Sequence, residues 1–413
     1  MSIVPTAAWQ IKPPNTWPPP PEFMSFSALR EIESCPRRWA LGSANYPDIW
    51  DGRGYPSALP SVPLEGIILH KALEQITVAL ASRGCPSIDH ESAVAVLKEL
   101  GGLSNVVSCN IEDTLKKFEK NPRSLPHIQK TYQRLQGQVP NLRIQVQSLL
   151  SRLKLAPKSK ISTGDQAATD TRTALQHGSH TEVELQVHNL KWRGIVDLLS
   201  LSTDICEIRD FKSGSKKDEH RFQLQAYAVL WVKDHERNPT GRPAERLLLS
   251  YQSGDVEVTP LDAEQLEATE VTLRTRSENA RRAVQQDPPK ACPSEETCQY
   301  CTVRHLCDDY WQWTINNRKS SNAGTFFDLQ IKLSGGHGDS SWSGVVEACL
   351  GLAVGNPIMF RPKKLPFDLR PGQHLRMLNV HVTSPTNDNI DGPTEIAVAT
   401  ASTSSEVFVL SED

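Results

Sequence analysis

From Thr181 to His235 the chain reads first as a hairpin, "TEVELQVHNLKWRGIVDLLSLS", with apolar and polar residues alternating around a His-Asn turn. A third strand, "TDICEIRDFKSG", and a helix, "EHRFQLQAYAVLWVKDH", follow directly. Strands and helices interleaved at this spacing demand an α/β unit, a mixed sheet with helices packed against it. A second hairpin, "ERLLLSYQSGDVEVTPL", and a long helix opening at the N-cap Asp262 extend the same unit.

Upstream, "IKPPNTWPPPPEF" cannot be helical, and residues 1–23 are expected to form an extended Pro-rich arm. "SFSALREIESCPRRWALG" predicts one short helix with Cys35 near its end, and "LEGIILHKALEQITVALASRG" an amphipathic helix carrying His70. Residues from about 85 to 155 read as a helical insertion interrupted by Pro122, Pro126 and Pro140, and about 156–180 as a flexible Ser/Thr-rich loop. Beyond 325 the pattern changes to six short strands separated by Gly and Pro turns, the pattern of a small closed barrel. The expected division is arm 1–23, α/β domain 24–313 and all-β domain 325–413.

Across 413 residues the net charge is only −3, so any nucleic-acid surface has to be a local patch. No apolar run is long enough to cross a bilayer, and there is no basic-then-apolar opening; a cytoplasmic protein with no membrane partner is expected. Nine cysteines in such a compartment point to ligand duty rather than disulfides.

Asp210 and Lys212 stand two apart on the third strand and therefore share a face. Alone they are an ordinary ion pair. Asp197 ends "RGIVD" on the neighbouring strand, where a spacing of about 5 Å lets two carboxylates share a divalent cation. His70 offers a nitrogen ligand, which suits Mn2+ as well as Mg2+. Lys212 would hold or deprotonate a water, or offset charge on a phosphate oxygen. Gln223 and Tyr227, four apart on one helix face, would orient that water or hydrogen-bond the phosphate.

The set "GIILHKALE", "RGIVD", "IRDFKSG" and "QLQAYAVLW" resembles the RecB-family branch of the PD-(D/E)xK nuclease superfamily over roughly residues 25–310. The resemblance implies a restriction-endonuclease-like α/β core, with His70, Asp197 and Asp210 as metal ligands and Asp197, Asp210, Lys212, Gln223 and Tyr227 as the catalytic set. It implies a Mg2+- or Mn2+-dependent deoxyribonuclease, expected to be an exonuclease on single-stranded DNA or DNA ends. DNA repair, recombination or antiviral (anti-phage) defence beside a helicase or another repair or defence protein is the implied setting. The competing expectation is a catalytically silent single-strand-binding scaffold or a partner subunit of a helicase–nuclease complex.

"TCQYCTVRHLC" supplies Cys298, Cys301 and Cys307, one thiolate short of a tetrahedral set. Cys35, Cys292 and His305 all remain open as the fourth ligand, and zinc and iron–sulfur both remain open as the occupant. The resemblance to AddB-type and CRISPR-associated nucleases implies a 4Fe-4S cluster on Cys35, Cys298, Cys301 and Cys307, acting chiefly as a staple. Cys85, Cys109, Cys206 and Cys349 read as buried or incidental thiols. In the C-terminal domain "LRPGQHLRMLNVHVTS" and "SEVFVL" resemble single-strand-binding OB-folds. Phe360, Arg361, Lys363, Lys364 and Arg376 are the expected nucleic-acid contacts there, aromatic for stacking and cationic for phosphates.

Overall fold

The computed structural model describes residues 9–50, 54–59, 63–156, 172–318, 325–338, 340–363, 365, 367–383 and 396–410. It opens with the strand β1 (Gln10–Ile11), then α1 (Phe26–Ser34) and α2 (Pro36–Ser43). The single helix expected here is thus two. Cys35 between them is extended, at φ −164° and ψ 105°, because the residue before a proline is driven out of the helical region. Pro36 then sits in the first turn of α2, where its missing N–H costs nothing.

Helix α3 (Pro63–Ser82) carries His70, and α4 (Ala93–Glu99), α5 (Leu103–Lys116), α6 (Ile128–Gly137) and α7 (Val139–Leu150) follow it. These four form the expected insertion. Their apolar faces bury Val96, Val107, Ile111, Leu135, Val146 and Leu149 in one core with Leu69, Leu73 and Ile76 of α3.

The five strands β2 (Gly178–Val187), β3 (Trp192–Leu201), β4 (Cys206–Lys212), β5 (Arg246–Tyr251) and β6 (Gly254–Val258) form a mixed sheet in sequence order. The pairs are antiparallel except β4–β5, which α8 (Asp218–Lys233) joins as a crossover. Of the loop expected at about 156–180, residues 157–171 lie outside the described residues, and its last three are already β2. Helix α9 (Ala263–Val284) starts at Asp262 with a full capping box. One face of the sheet packs on α1, α8 and α9 through Val196, Ile208, Leu224, Trp231 and Leu273. Leu198 and Phe211 join the core of α3 and the insertion. The sheet is covered on both sides.

After α10 (Glu295–Cys298) and α11 (Asp308–Asn316) come β7 (Thr325–His337), β8 (Ser341–Cys349), β9 (Pro357–Arg361), β10 (His374–Thr383), β11 (Ala397–Thr400) and β12 (Glu406–Leu410). Pairing runs β7–β8–β9–β11–β10 and back to β7, so five strands close a ring, with β9–β11 as its parallel pair. β12 pairs with the first half of β10, and β1 adds in parallel to β12. The Pro-rich arm is therefore pinned to the barrel at Gln10–Ile11, and farther along Arg281 donates to the carbonyls of Pro21 and Glu22.

The barrel meets the α/β unit through buried charge. Arg123, 1% exposed, binds both carboxylate oxygens of Glu406 on β12 and the carbonyls of Pro56 and Thr302. With every guanidinium nitrogen bonded this is the tolerable form of a buried ion pair.

Candidate active site

Strands β3 and β4 are laddered only from Leu201↔Cys206 to Leu198↔Arg209 and then part. Into the gap goes Asp197, whose Oδ2 accepts the Phe211 N–H at 2.5 Å. From the α3 side His70 Nδ1 stands 3.5 Å from Asp197 Oδ1. Asp210, 2% exposed, points into the same region from β4, and Lys212 Nζ is 2.5 Å from its Oδ2. The angles of that contact are not those of a hydrogen bond, so Asp210 Oδ2 is a buried oxygen without one.

The electrostatics follow from crowding. Burial, then the Asp197 carboxylate, pushes the Asp210 carboxyl up to about 7 against the pull of Lys212. For His70 burial works against the charge, but the hydrogen bond and charge of Asp197, followed by Asp210, outweigh it and raise its pKa. The buried Asp210 oxygen has one ammonium against it and a second carboxylate facing it, a crowding of negative charge that a cation would relieve.

Gln223 and Tyr227 lie on one face of α8, linked to Lys212. Lys212 donates to Gln223 Oε1 at 2.8 Å, and Gln223 Nε2 donates to Tyr227 Oη at 2.7 Å. Within this arrangement the α8 pair holds the lysine. Tyr227 fits because residue 194 is glycine: a Cβ there would lie 2.7 Å from Tyr227 Cε1.

Glu182 escaped the sequence reading. On β2 it lies between Thr181, paired with Leu198, and Val183, paired with Val196, and so stands opposite Asp197. Its φ of 48° is a conformation that a glutamate inside a strand adopts only under constraint. Its side chain is open to solvent on one side. Crowding on the other, followed by Asp197 and Glu74, moves its carboxyl up to about 7. The hairpin register fixes Glu182 as the residue that faces Asp197, but only once the pairing of β2 with β3 is known.

Among the described residues no three His, Cys, Asp or Glu side chains are arranged to hold a single metal ion. At the centre this reflects partners already in place, the Lys212 ammonium on Asp210 and the Phe211 amide on Asp197. The donor set itself, two carboxylates and an imidazole with a buried oxygen unsatisfied, fits Mg2+ or Mn2+.

The family profile of the PD-(D/E)XK nuclease superfamily matches residues 24–308. The chain belongs to this superfamily. Nucleases of this superfamily generally use Mg2+ or Mn2+. No curated protein matches. The crystal structure of SSO0001 is similar at 20% identity and a TM-score of 0.20, covering 31% of this chain and 59% of that one. The crystal structure of the p204 HINb domain is similar at 12% identity and a TM-score of 0.17, covering 59% of this chain and 100% of that one. The chain thus spans 59% of the SSO0001 structure, and neither likeness is close enough to argue from.

In this nuclease-family chain Cys35, Cys292, Cys298, Cys301 and Cys307 line one small cavity. Backbone hydrogen bonds from Ser294, Val303 and Tyr310 reach the sulfurs of Cys298, Cys301 and Cys307, and the Cys292 N–H donates to Cys35 Sγ at 3.4 Å. Burial raises Cys301 to about 11 and Cys307 to about 12, while Arg38 and Arg304 pull Cys301 down and Arg37 pulls Cys307 down. Amide donors and cations of this kind stabilise sulfur-bound negative charge. His305 is fully buried against Phe408 and Tyr55.

Two of the nucleic-acid contacts expected on the barrel are corrected. Phe360 is fully buried in the barrel core, so it has no face to offer a base. Arg376, 5% exposed, bonds Gln330, the His305 carbonyl and Asp308 and lies over Trp311. It joins barrel to cysteine segment. Arg361 and Lys363 are exposed, and Lys364 lies outside the described residues. No helix among the described residues is long and apolar enough to cross a membrane.

Proposed function

We propose that the chain is a Mg2+- or Mn2+-dependent deoxyribonuclease of the RecB-like branch, acting on single-stranded DNA or DNA ends as an exonuclease. The observation that carries this is the convergence of His70, Asp197, Asp210 and Lys212 around the buried Asp210 Oδ2 that lacks a hydrogen bond. A divalent cation bound at His70, Asp197 and Asp210 would polarise the scissile phosphate and lower the pKa of its water. Lys212 lies beside the phosphate position, where as an ammonium it would offset charge on the oxygens and as the neutral amine, its proton given up first, it would accept the proton of the attacking water. Gln223 and Tyr227 keep that amine in one rotamer.

The reading extends to organisation. Residues 1–23 are the arm, 24–313 the nuclease domain and 325–413 an OB-fold-like domain, and the ring of five strands supports the last assignment. A 4Fe-4S cluster on Cys35, Cys298, Cys301 and Cys307 ties α2 to the end of the nuclease domain, with Cys292 lending its amide rather than its thiol. Nine free thiols suit the cytoplasm. Repair, recombination or anti-phage defence beside a helicase is the setting.

Labelled single-stranded DNA, end-blocked or free-ended, is incubated with Mg2+ or Mn2+. Cleavage of free ends only is expected, and Lys212→Ala should abolish it. A Lys212→Ala protein that cuts at the wild-type rate sinks the enzyme reading and leaves the silent scaffold.

A further inference from the structure

Beside the candidate centre runs a cleft of about 840 Å³, between α1, the open edge of β3 and the Gln223–Tyr227 face of α8. The edge is open because β4 pairs with β3 only from Leu198 onward. The Arg193 N–H turns away from β2 to the Met24 carbonyl, and strand alternation places the N–H and C=O of Ile195 on that same edge. Residues 193, 195 and 197 share a face, so Ile195 and Arg193 stand about 7 and about 14 Å along the strand from Asp197.

The cleft is lined by three arginines, Arg30, Arg38 and Arg193, against two acids, Glu31 and Glu184. Arg30 is paired with Glu219 and Arg38 with Glu31, in half-exposed contacts that a phosphate can exchange at little cost. Among the described residues Arg193 is exposed and has no side-chain partner. A cation left unpaired on the same strand as Asp197 is placed for a ligand.

We propose that this cleft, rather than the barrel, holds the single DNA strand flanking the scissile phosphate, with Arg193 as its main phosphate contact and Arg30 and Arg38 beyond it. The inference rests on the nuclease reading above and names where its substrate lies. The volume is that of a pocket for one drug-sized ligand, room for a few nucleotides of one strand and not for a duplex. The exposed Ile195 and the rim of Phe26 give apolar surface to sugar or base.

The test uses the full chain carrying Lys212→Ala, which separates binding from cleavage. Anisotropy of a labelled 15-nucleotide single strand is read from about 50 to about 300 mM salt. Arg193→Ala should weaken binding at least threefold at low salt and flatten the slope of log affinity against log salt by about 0.7. Arg193→Lys should keep the slope, and the triple change of Arg30, Arg38 and Arg193 to Ala should flatten it by about 2. Unchanged affinity and slope in the single and triple variants overturn the cleft, as does a slope that instead follows Arg361→Ala and Lys363→Ala. Cleavage by the wild-type chain is scored separately. If it cuts DNA while the arginine variants bind normally, only the cleft falls; if it never cuts, the nuclease reading falls whatever the binding shows.

Discussion

Gly194 and Tyr227 are in contact across the gap between β3 and α8: a Cβ at 194 would stand 2.7 Å from Tyr227 Cε1, 3.0 Å from its Cδ1 and 3.1 Å from Leu230 Cδ1. Tyr227 is 7% exposed and borders the cleft, the open space into which its ring would have to move. Gly194→Ala should therefore push the ring off Gln223 and loosen Lys212, lowering kcat by about a hundredfold while KM and the circular dichroism spectrum stay near wild type. Because the effect runs through Tyr227, combining Gly194→Ala with Tyr227→Phe should cost no more than the worse single change. Additive losses would show that Gly194 acts elsewhere.

Asp210 gives a prediction that needs no turnover. Its buried oxygen lacks a hydrogen bond and faces Asp197, so a divalent cation should bind the folded chain and not the unfolded one. Mn2+ at about 100 times its Kd should stabilise the protein by about 2.7 kcal/mol, seen as a rise in Tm. Asp210→Asn should remove most of that rise, and Glu182→Gln, one residue across the hairpin, less of it. An equal rise in wild type and Asp210→Asn would place the ion somewhere else.

The centre was partly legible in the sequence for a local reason. Asp210 and Lys212 share a strand face by period two, and Gln223 and Tyr227 share a helix face by period four, so spacing alone pairs them. Glu182 hid because its positive φ breaks the alternation by which strands are read. Gly194 hid because the space it leaves belongs to a side chain 33 positions away. The break at Cys35 was there to be read in Pro36. Phe360 and Arg376 misled for the opposite reason: whether an aromatic or cationic residue faces water depends on how β7–β11 close their ring and where the barrel docks, which no local pattern encodes.

The thiols separate two occupants. If a 4Fe-4S cluster sits on Cys35, Cys298, Cys301 and Cys307, protein purified without oxygen should be brown, with broad absorbance near about 400 nm and about four irons per chain. Cys298→Ser and Cys35→Ser should lose most of the iron, whereas Cys292→Ser should keep it, since that residue acts through its amide. Colourless protein holding one zinc per chain would decide for a zinc site.

His305 adds its own pH dependence to stability. Both ring nitrogens are buried without a hydrogen-bond partner, and the groups around it are Arg123, Arg304 and Arg376, themselves tied to Glu406, Asp328 and Asp308. Burial, followed by these three cations, holds its pKa well below the ordinary value of about 6.5. Folded His305 therefore stays neutral where the unfolded chain protonates. Its effect on stability is absent above about pH 6.5 and grows as pH falls below it, by at most about 1.4 kcal/mol per pH unit. His305→Phe keeps a ring stacked on Phe408 and removes two unsatisfied nitrogens. Urea midpoints at about pH 7.5 and about pH 5.5 should fall less between the two for His305→Phe than for wild type. Equal falls in the two proteins would mean that His305 finds a proton acceptor in the fold and that the joint between barrel and cysteine segment is not acid-sensitive through it.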